Sequence, residues 1–281
     1  MSELLLEIFS EEIPARMQDA AAANLLKLVQ GGLLDAGYSP SGSKAFATPR
    51  RLSLVITGLN AAQQDRVEER KGPKVGAPEK AIAGFLKSAG LSSVDEAVIE
   101  EGPKGSFYVA RREIKGRPTS EIIAEIVTET IHKFPWPKSM RWGGGDLRWV
   151  RPLHSILCCF DGEVVDFEIA GVKSGDITYG HRFMAEGAIQ ARSFENYIAK
   201  LVHGKVMLDG AQRREHILGE AKALCQVQGL ELVEDEGLLK EVAGLAEWPV
   251  PLMGSFDEKF LQLPDEVLIA SMRGHQKYFS V

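Results

Sequence analysis

Cysteine is scarce, with three residues in 281, too few for a disulfide framework. Cys158 and Cys159 are adjacent and would point to opposite faces of a strand. With Cys225 they read as three reduced thiols of a cytosolic protein. No segment approaches the roughly 18 apolar residues of a membrane span. Met1-Ser2-Glu3 lacks the basic n-region of a secretory signal, and the leucines that follow are interrupted at Glu7. A soluble, cytoplasmic chain with no membrane partner is expected. There is no excess of positive charge either: 33 Lys and Arg stand against 39 Asp and Glu, a net of −6. That excludes coating a nucleic acid by charge alone and leaves room only for a local basic face. Apolar residues at 44% and charged residues at 26% are globular values, which excludes wholesale disorder and fibrous repeats.

Familiar catalytic signatures are also missing. Gly143-Gly144-Gly145 is followed by no Gly-Lys-Ser/Thr and is not a phosphate loop. No G-x-S-x-G elbow, H-E-x-x-H or paired C-x-x-C occurs, so neither a nucleophilic serine nor a zinc site is expected. The six histidines, at 132, 154, 181, 203, 216 and 275, are scattered and read as surface or satisfied side chains. Glu11 and Glu12 cannot face each other on a helix and read as helix-start carboxylates. No catalytic residue and no metal ligand is assigned to this chain.

The pattern that is present alternates strand and helix, an α/β (mixed α+β) chain. Residues 3–9 read as a buried strand. Ser10-Glu11-Glu12-Ile13-Pro14 reads as the start of a helix over 14–36, with Ser10 as its cap and Gly37 at its end. A strand follows at 51–58, with Leu52, Leu54 and Ile56 on its better-buried face. Residues 60–78 are polar and read as loop. A helix is expected at 79–89, a strand at 106–114 and an amphipathic helix at 119–133. Residues 147–184 carry β signals, including Asp161-Gly162 between the apolar runs 153–160 and 164–169, a hairpin signature. Residues 192–228 return to helix around a strand-like Lys205–Leu208. Helices near 236–246 and 264–273 flank an extended Val250–Met253. The expected division is an N-terminal strand–helix–strand module over 1–135, a β-rich region over 136–190, with the alternative that these two form one domain, and a mainly helical region over 191–281. The pattern breaks off at residue 281 and reads as part of a longer protein.

Three segments carry candidate chemistry. Over 44–74 seven basic residues face three acidic ones, a net of +4, with Arg50 and Arg51 following Pro49. Over 132–151 five basic residues face one acidic residue. There Lys138, Arg141, Arg148 and Arg151 interleave with Trp136, Trp142 and Trp149 around the triple glycine. Arginine beside aromatics can hold phosphates and stack on unpaired bases; the competing reading makes the tryptophans core anchors. The third segment, 176–184, offers His181 and Arg182 after Gly180, either for an anion or as a plain turn between strands.

Taken in order, Phe-Ser-Glu-Glu-Ile-Pro-Ala-Arg (9–16), Pro-Arg-Arg-Leu (49–52), Arg-Lys-Gly-Pro (70–73), Pro-Lys-Ser-Met-Arg-Trp-Gly (137–143), Val-Arg-Pro-Leu-His (150–154), Gly-His-Arg-Phe-Met (180–184), Glu-Val-Ala-Gly-Leu-Ala-Glu-Trp-Pro-Val (241–250) and Gln-Lys-Tyr-Phe (276–279) resemble the N-terminal part of the β subunit of bacterial heterotetrameric glycyl-tRNA synthetases. The resemblance implies an α2β2 glycine–tRNA ligase whose ATP- and glycine-binding site lies in the α subunit, so that no cofactor is held by this chain. It implies the α subunit, a second β subunit and tRNA(Gly) as partners, and a fold similar to the B3/B4 module of phenylalanyl-tRNA synthetases. The family's later HD-type and anticodon-binding regions have no counterpart in these 281 residues. The residues expected to touch tRNA or a subunit are Arg50, Arg51, Lys138, Arg141, Arg148, Arg151, His181 and Arg182. Two rival readings accompany this one, an editing-type aminoacyl-tRNA hydrolase and a pure scaffold. Glycine is the smallest amino acid, so larger ones can be excluded sterically, which weakens the need for editing.

Overall fold

A strand with apolar residues on both of its faces is buried on both, and β1 (Ser2–Ser10) is one, with Leu4, Leu5, Leu6 and Ile8 all sealed from solvent. The computed structural model describes residues 2–102 and 105–281. The chain forms two compact units, one of residues 1–60 and 120–281 and the other of residues 61–119.

The larger unit is built on one sheet. After β1 come helix α1 (Ala15–Asp35) and strands β2 (Gly42–Ala47) and β3 (Arg51–Leu59). In the smaller unit lie β4 (Arg66–Lys74), helix α2 (Glu79–Ala89), β5 (Val98–Gly102) and β6 (Gly105–Ile114). The larger unit resumes with helix α3 (Thr119–His132) and β7 (Leu153–Phe160), followed by the short strands β8 (Glu163–Val164), β9 (Glu168–Ile169) and β10 (Val172–Gly175). A hairpin of β11 (Ile177–Tyr179) and β12 (Ala188–Gln190) comes next. Helices α4 (Phe194–His203), α5 (Gly210–Val227), α6 (Glu236–Ala243) and α7 (Asp265–Ser271) complete the order.

The main sheet runs β2-β3-β1-β7-β10-β9, with β8 beside β7. All pairings are antiparallel except β7 with β10. Period-two alternation splits its side chains between two cores. Leu4, Leu6, Ile8, Leu52, Leu54, Ile56, Ile156 and Cys158 meet α1 and α3 on one face. Leu5, Val55, Leu157 and Cys159 meet Tyr197 and Leu201 of α4 on the other. The two adjacent cysteines do point to opposite faces, and all three thiols are free and buried. Burial pushes the Cys159 thiol up to about 11, which removes it as a thiolate nucleophile at neutral pH.

Helix α1 buries Met17, Ala21, Leu25, Val29 and Leu33, a fourfold repeat along one stripe. It comes close to α3 at Gly32, where a Cβ would stand 2.8 Å from Ile126. Gly37 follows the helix at φ 90°, a conformation that suits glycine alone. Ser10 does not cap α1. It ends β1, its hydroxyl donates to the Glu11 carbonyl, and Pro14 occupies the cap position.

Two further expectations give way. Residues 60–78 are not all loop, because β4 pairs with β6 in an antiparallel sheet of order β4-β6-β5. A single apolar residue in β4, Val67, leaves no alternation to read, and backbone pairing alone makes the strand. The strand-like Lys205–Leu208 joins no sheet; Val206 and Leu208 instead plug the α4 core. Strands β1 and β7 are neighbours in one sheet, so the first two regions of the expected division share it.

A buried polar group pins the helical segment. Arg213 of α5 is 2% exposed and donates to the carbonyls of Ala47, Met207, Leu208 and Ala243. Burial lowers its pKa to about 10, so it remains a cation at neutral pH, satisfied by peptide dipoles.

Candidate nucleic-acid interface

Cross-strand register builds the site. Glu7 of β1 lies opposite Ser53 of β3, and Phe9 opposite Arg51, so one face of the sheet carries a polar group where its neighbours are apolar. Arg51 is fully buried. Its Nε donates to Glu247 Oε1 at 2.9 Å and its Nη2 to Glu247 Oε2 at 3.3 Å, a bidentate pair. Its Nη1 donates to Glu7 Oε2 at 3.4 Å and to the Tyr179 carbonyl at 3.1 Å. Thr48 donates to Glu247 at 2.5 Å. The Tyr197 hydroxyl donates to Glu7 and accepts from Ser53 at 2.7 Å. Burial pushes the Glu7 carboxyl upward against the opposing pull of Arg51. For Arg51 burial works downward, but Glu247 and Glu7 outweigh it and the guanidinium stays charged.

Arg51 is therefore corrected as a contact residue, because it has no surface to offer. Its sequence neighbour Arg50 has some. At this end of the sheet, segments 9–12, 49–51, 152–154 and 179–183 converge. Glu11 accepts from Arg182 at 2.8 Å, lies 2.7 Å from His154 Nε2 and stands 3.8 Å from Arg50. Arg182 also donates to Glu12 at 3.3 Å. The guanidinium of Arg50 stacks over Phe9, 4.6 Å from its centroid. Glu11 and Glu12 lie before the first turn of α1, which holds no acidic residue, so they serve this ion network and not the helix start. His154 and Arg182 arrive from more than 140 residues away in sequence.

His181 and Arg182 sit in the loop of the β11–β12 hairpin, as the turn reading expected. Gly180 approaches main chain. A Cβ there would stand 2.6 Å from the Gly204 carbonyl oxygen, which the His181 amide also reaches at 2.8 Å. The loop presents Phe183 at 84% exposure beside Arg182.

The tryptophan segment divides. Trp149 is fully buried, with Phe134 and Trp136 rings 4.9 and 5.0 Å away, and Trp142 packs on the same core. The tryptophans are core anchors. The cations remain outside. Lys138 is exposed; Arg141 reaches Asp146 at 3.8 Å; Arg148 donates to Ser139 Oγ at 3.3 Å; and Arg151 donates to the Val150 carbonyl. Glu7, Glu247, Tyr197 and His154 were missed by sequence reasoning. A glutamate inside ELLLEIF, at a position that must be buried, was the one signal that could have found Glu7 and demanded a cationic partner.

The ion network sets a pH dependence. His154 first, then Arg182 and Arg50, hold the Glu11 carboxyl below the ordinary glutamate range. A depressed carboxyl contributes stability above its unfolded value, and that contribution is lost as pH falls through the folded value. His154→Ala is expected to return Glu11 toward its ordinary pKa, read as the midpoint of its side-chain carboxyl carbon shift in an NMR titration. An unmoved midpoint would show that His154 does not hold Glu11.

Among the described residues, no group of three His, Cys, Asp or Glu side chains could hold a metal ion, and no helix is long and apolar enough to cross a membrane. A family model described as glycyl-tRNA synthetase beta subunit matches residues 4–281. Three curated relatives, each called a glycine–tRNA ligase beta subunit, match over the whole chain. They come from Dinoroseobacter shibae (55% identical over 285 residues), a Ruegeria species (56% over 285) and Phenylobacterium zucineum (55% over 282). The chain spans 39%, 41% and 41% of their respective lengths.

Proposed function

The chain belongs to the glycyl-tRNA synthetase beta subunit family, and from that premise we propose that it supplies tRNA contact and subunit assembly to the ATP-dependent attachment of glycine to tRNA(Gly). In this reading the ATP- and glycine-binding site is carried by an α subunit, the assembly is α2β2, and it works in the cytoplasm. The observation that carries the reading is the convergence of Arg50, His154 and Arg182 on Glu11, beside the exposed Phe183. Guanidinium groups that share a carboxylate can turn to a phosphate when one arrives, and an exposed ring beside them offers a face to an unpaired base. Lys138, Arg141 and Arg148 form a second set of surface cations, and Arg151 is half-buried.

The test is aminoacylation by the full-length assembly. Removing one charge-assisted contact costs on the order of 1.5 kcal/mol, so Arg182→Ala is expected to raise the KM for tRNA about tenfold. Phe183→Ala should raise it by several-fold through lost stacking. An unchanged KM in both variants, with the assembly intact, would reject tRNA contact at this rim.

A further inference from the structure

We propose that the free edge of the small sheet, strand β4 with helix α2 packed beside it, is a second RNA contact that holds the phosphodiester backbone. The proposal rests on the tRNA reading above and adds a surface that the sequence placed in a loop.

The sheet order β4-β6-β5 puts β4 and β5 on opposite edges. Residues 66–89, which span β4 and α2, hold six basic and three acidic residues, a net of +3. Residues 94–102, which lead into and form β5, hold four acidic residues and no basic one, a net of −4. Acid and base are therefore separated across the sheet, in a chain whose total is −6. The middle strand reinforces the separation. Arg111 of β6 binds Glu69 and Glu100, each at 2.7 Å, so Glu69 is already occupied and does not neutralise the lysines of its own strand.

Lys71, Lys74, Lys80 and Lys87 are all exposed, and none has an ion-pair partner among the described residues. Lys71 stands over the Phe107 ring, 3.6 Å from its centroid, which restrains the ammonium at the sheet surface. Arg70 is used differently, because it donates to the Ser88 carbonyl near the end of α2. Between Lys71 and Lys74 the ladder slips at Gly72-Pro73. There the backbone meets Phe85 of α2 so closely that a Cβ on Gly72 would stand 2.7 Å from its ring. The Arg-Lys-Gly-Pro segment is thus an edge bulge that locks helix to strand and fixes the lysines relative to one another.

Lysines on an edge strand also prevent sheets from joining edge to edge. That accounts for Lys71 and Lys74, but not for Lys80 and Lys87 on the helix or for the net positive charge that strand and helix share. A protein partner would call for a charge-depleted, apolar interface centre. Among large apolar side chains this edge exposes only Val67 and Val75. Unpaired cations without an apolar centre fit a polyanion, whose bound counterions they displace.

The test uses the full-length subunit assembled with its companion chains, and tRNA affinity across a salt series. Lys71→Gln with Lys74→Gln removes two contacts, and Lys80→Gln with Lys87→Gln is the second arm on an exposed helix. Melting curves check folding in both. Two lost phosphate contacts should reduce the slope of log affinity against log salt by about 1.4–1.8. A slope unchanged in both pairs, with melting preserved, overturns the proposal. If Arg182→Ala and Phe183→Ala still weaken tRNA binding, only this surface is rejected. If they too leave it intact, the tRNA reading of the chain falls as well. Loss of companion-chain association with an unchanged slope overturns the proposal in favour of a protein contact. Should the strand variants fail to fold, the helix pair decides alone.

Discussion

Arg51→Ala is expected to destabilise the larger unit by about 3–5 kcal/mol, the cost of stranding buried charges without their partner. Glu247 would lose a bidentate cation, Glu7 a guanidinium contact and the Tyr179 carbonyl a donor. Arg51→Lys should recover little, because an ammonium cannot span the two oxygens of Glu247 and still reach Glu7. A triple change of Arg51→Met, Glu7→Gln and Glu247→Gln should recover most of the loss, since replacing a buried ionic group is far cheaper than breaking it. The measurement is a urea titration followed by tryptophan fluorescence at pH 7. A loss below about 1 kcal/mol would mean that water replaces the guanidinium and that the cluster does not hold the 244–250 segment to the sheet.

The same cluster predicts a pH signature. Glu7 is pushed upward by burial. A raised carboxyl contributes stability that is fully present below its unfolded value and is lost as pH rises through the folded one. Removing Arg51 removes the principal influence holding Glu7 down, so its folded value climbs further. The deficit of Arg51→Ala should therefore shrink as pH falls from 7 toward 5. A deficit that grows over that range would contradict a buried, unpaired carboxylate.

Trp149→Ala should have an effect of similar size for a different reason. The side chain is fully buried and forms a trio with Phe134 and Trp136. Truncation removes both transfer energy and packing and leaves a cavity, typically costing about 3–5 kcal/mol. In a unit of this size that lowers the melting temperature by roughly 6–20 °C. Trp149→Phe keeps a ring and should cost about half as much. The experiment also separates core from RNA contact. With Trp149 inside, tRNA affinity measured well below the lowered melting temperature should match the parent chain. A loss of affinity with little loss of stability would place the ring at the RNA.

How much was legible follows from what local sequence encodes. Periodicity located β1, α1, β3, α2, β6, α3 and β7, because their apolar residues repeat at the spacing that burial requires. Strand β4 stayed hidden because an edge strand with one apolar side chain carries no period, and its hydrogen bonds are supplied by β6. The short edge strands β2 and β5 were missed because their apolar residues are adjacent and do not alternate. The ordered motifs placed the chain in its family, since residue identity in sequence order is itself local information. The rim around Glu11 was half legible. Arg50, His181 and Arg182 stood out as candidates, while Glu11, Glu12 and His154 were set aside, because nothing near 9–12 shows that residues 154 and 182 will meet it.

By itself, then, the sequence determined an α/β chain with a twice-buried central strand, inert thiols and the family to which it belongs. Only the tertiary structure decided that Arg51 is interior while Arg50 borders the surface, that the tryptophans face inward while their arginines do not, and that acid and base part to opposite edges of the small sheet. Burial of an individual polar side chain depends on partners brought by chain segments far away. Their arrival is set by sheet register and packing, which no local pattern records.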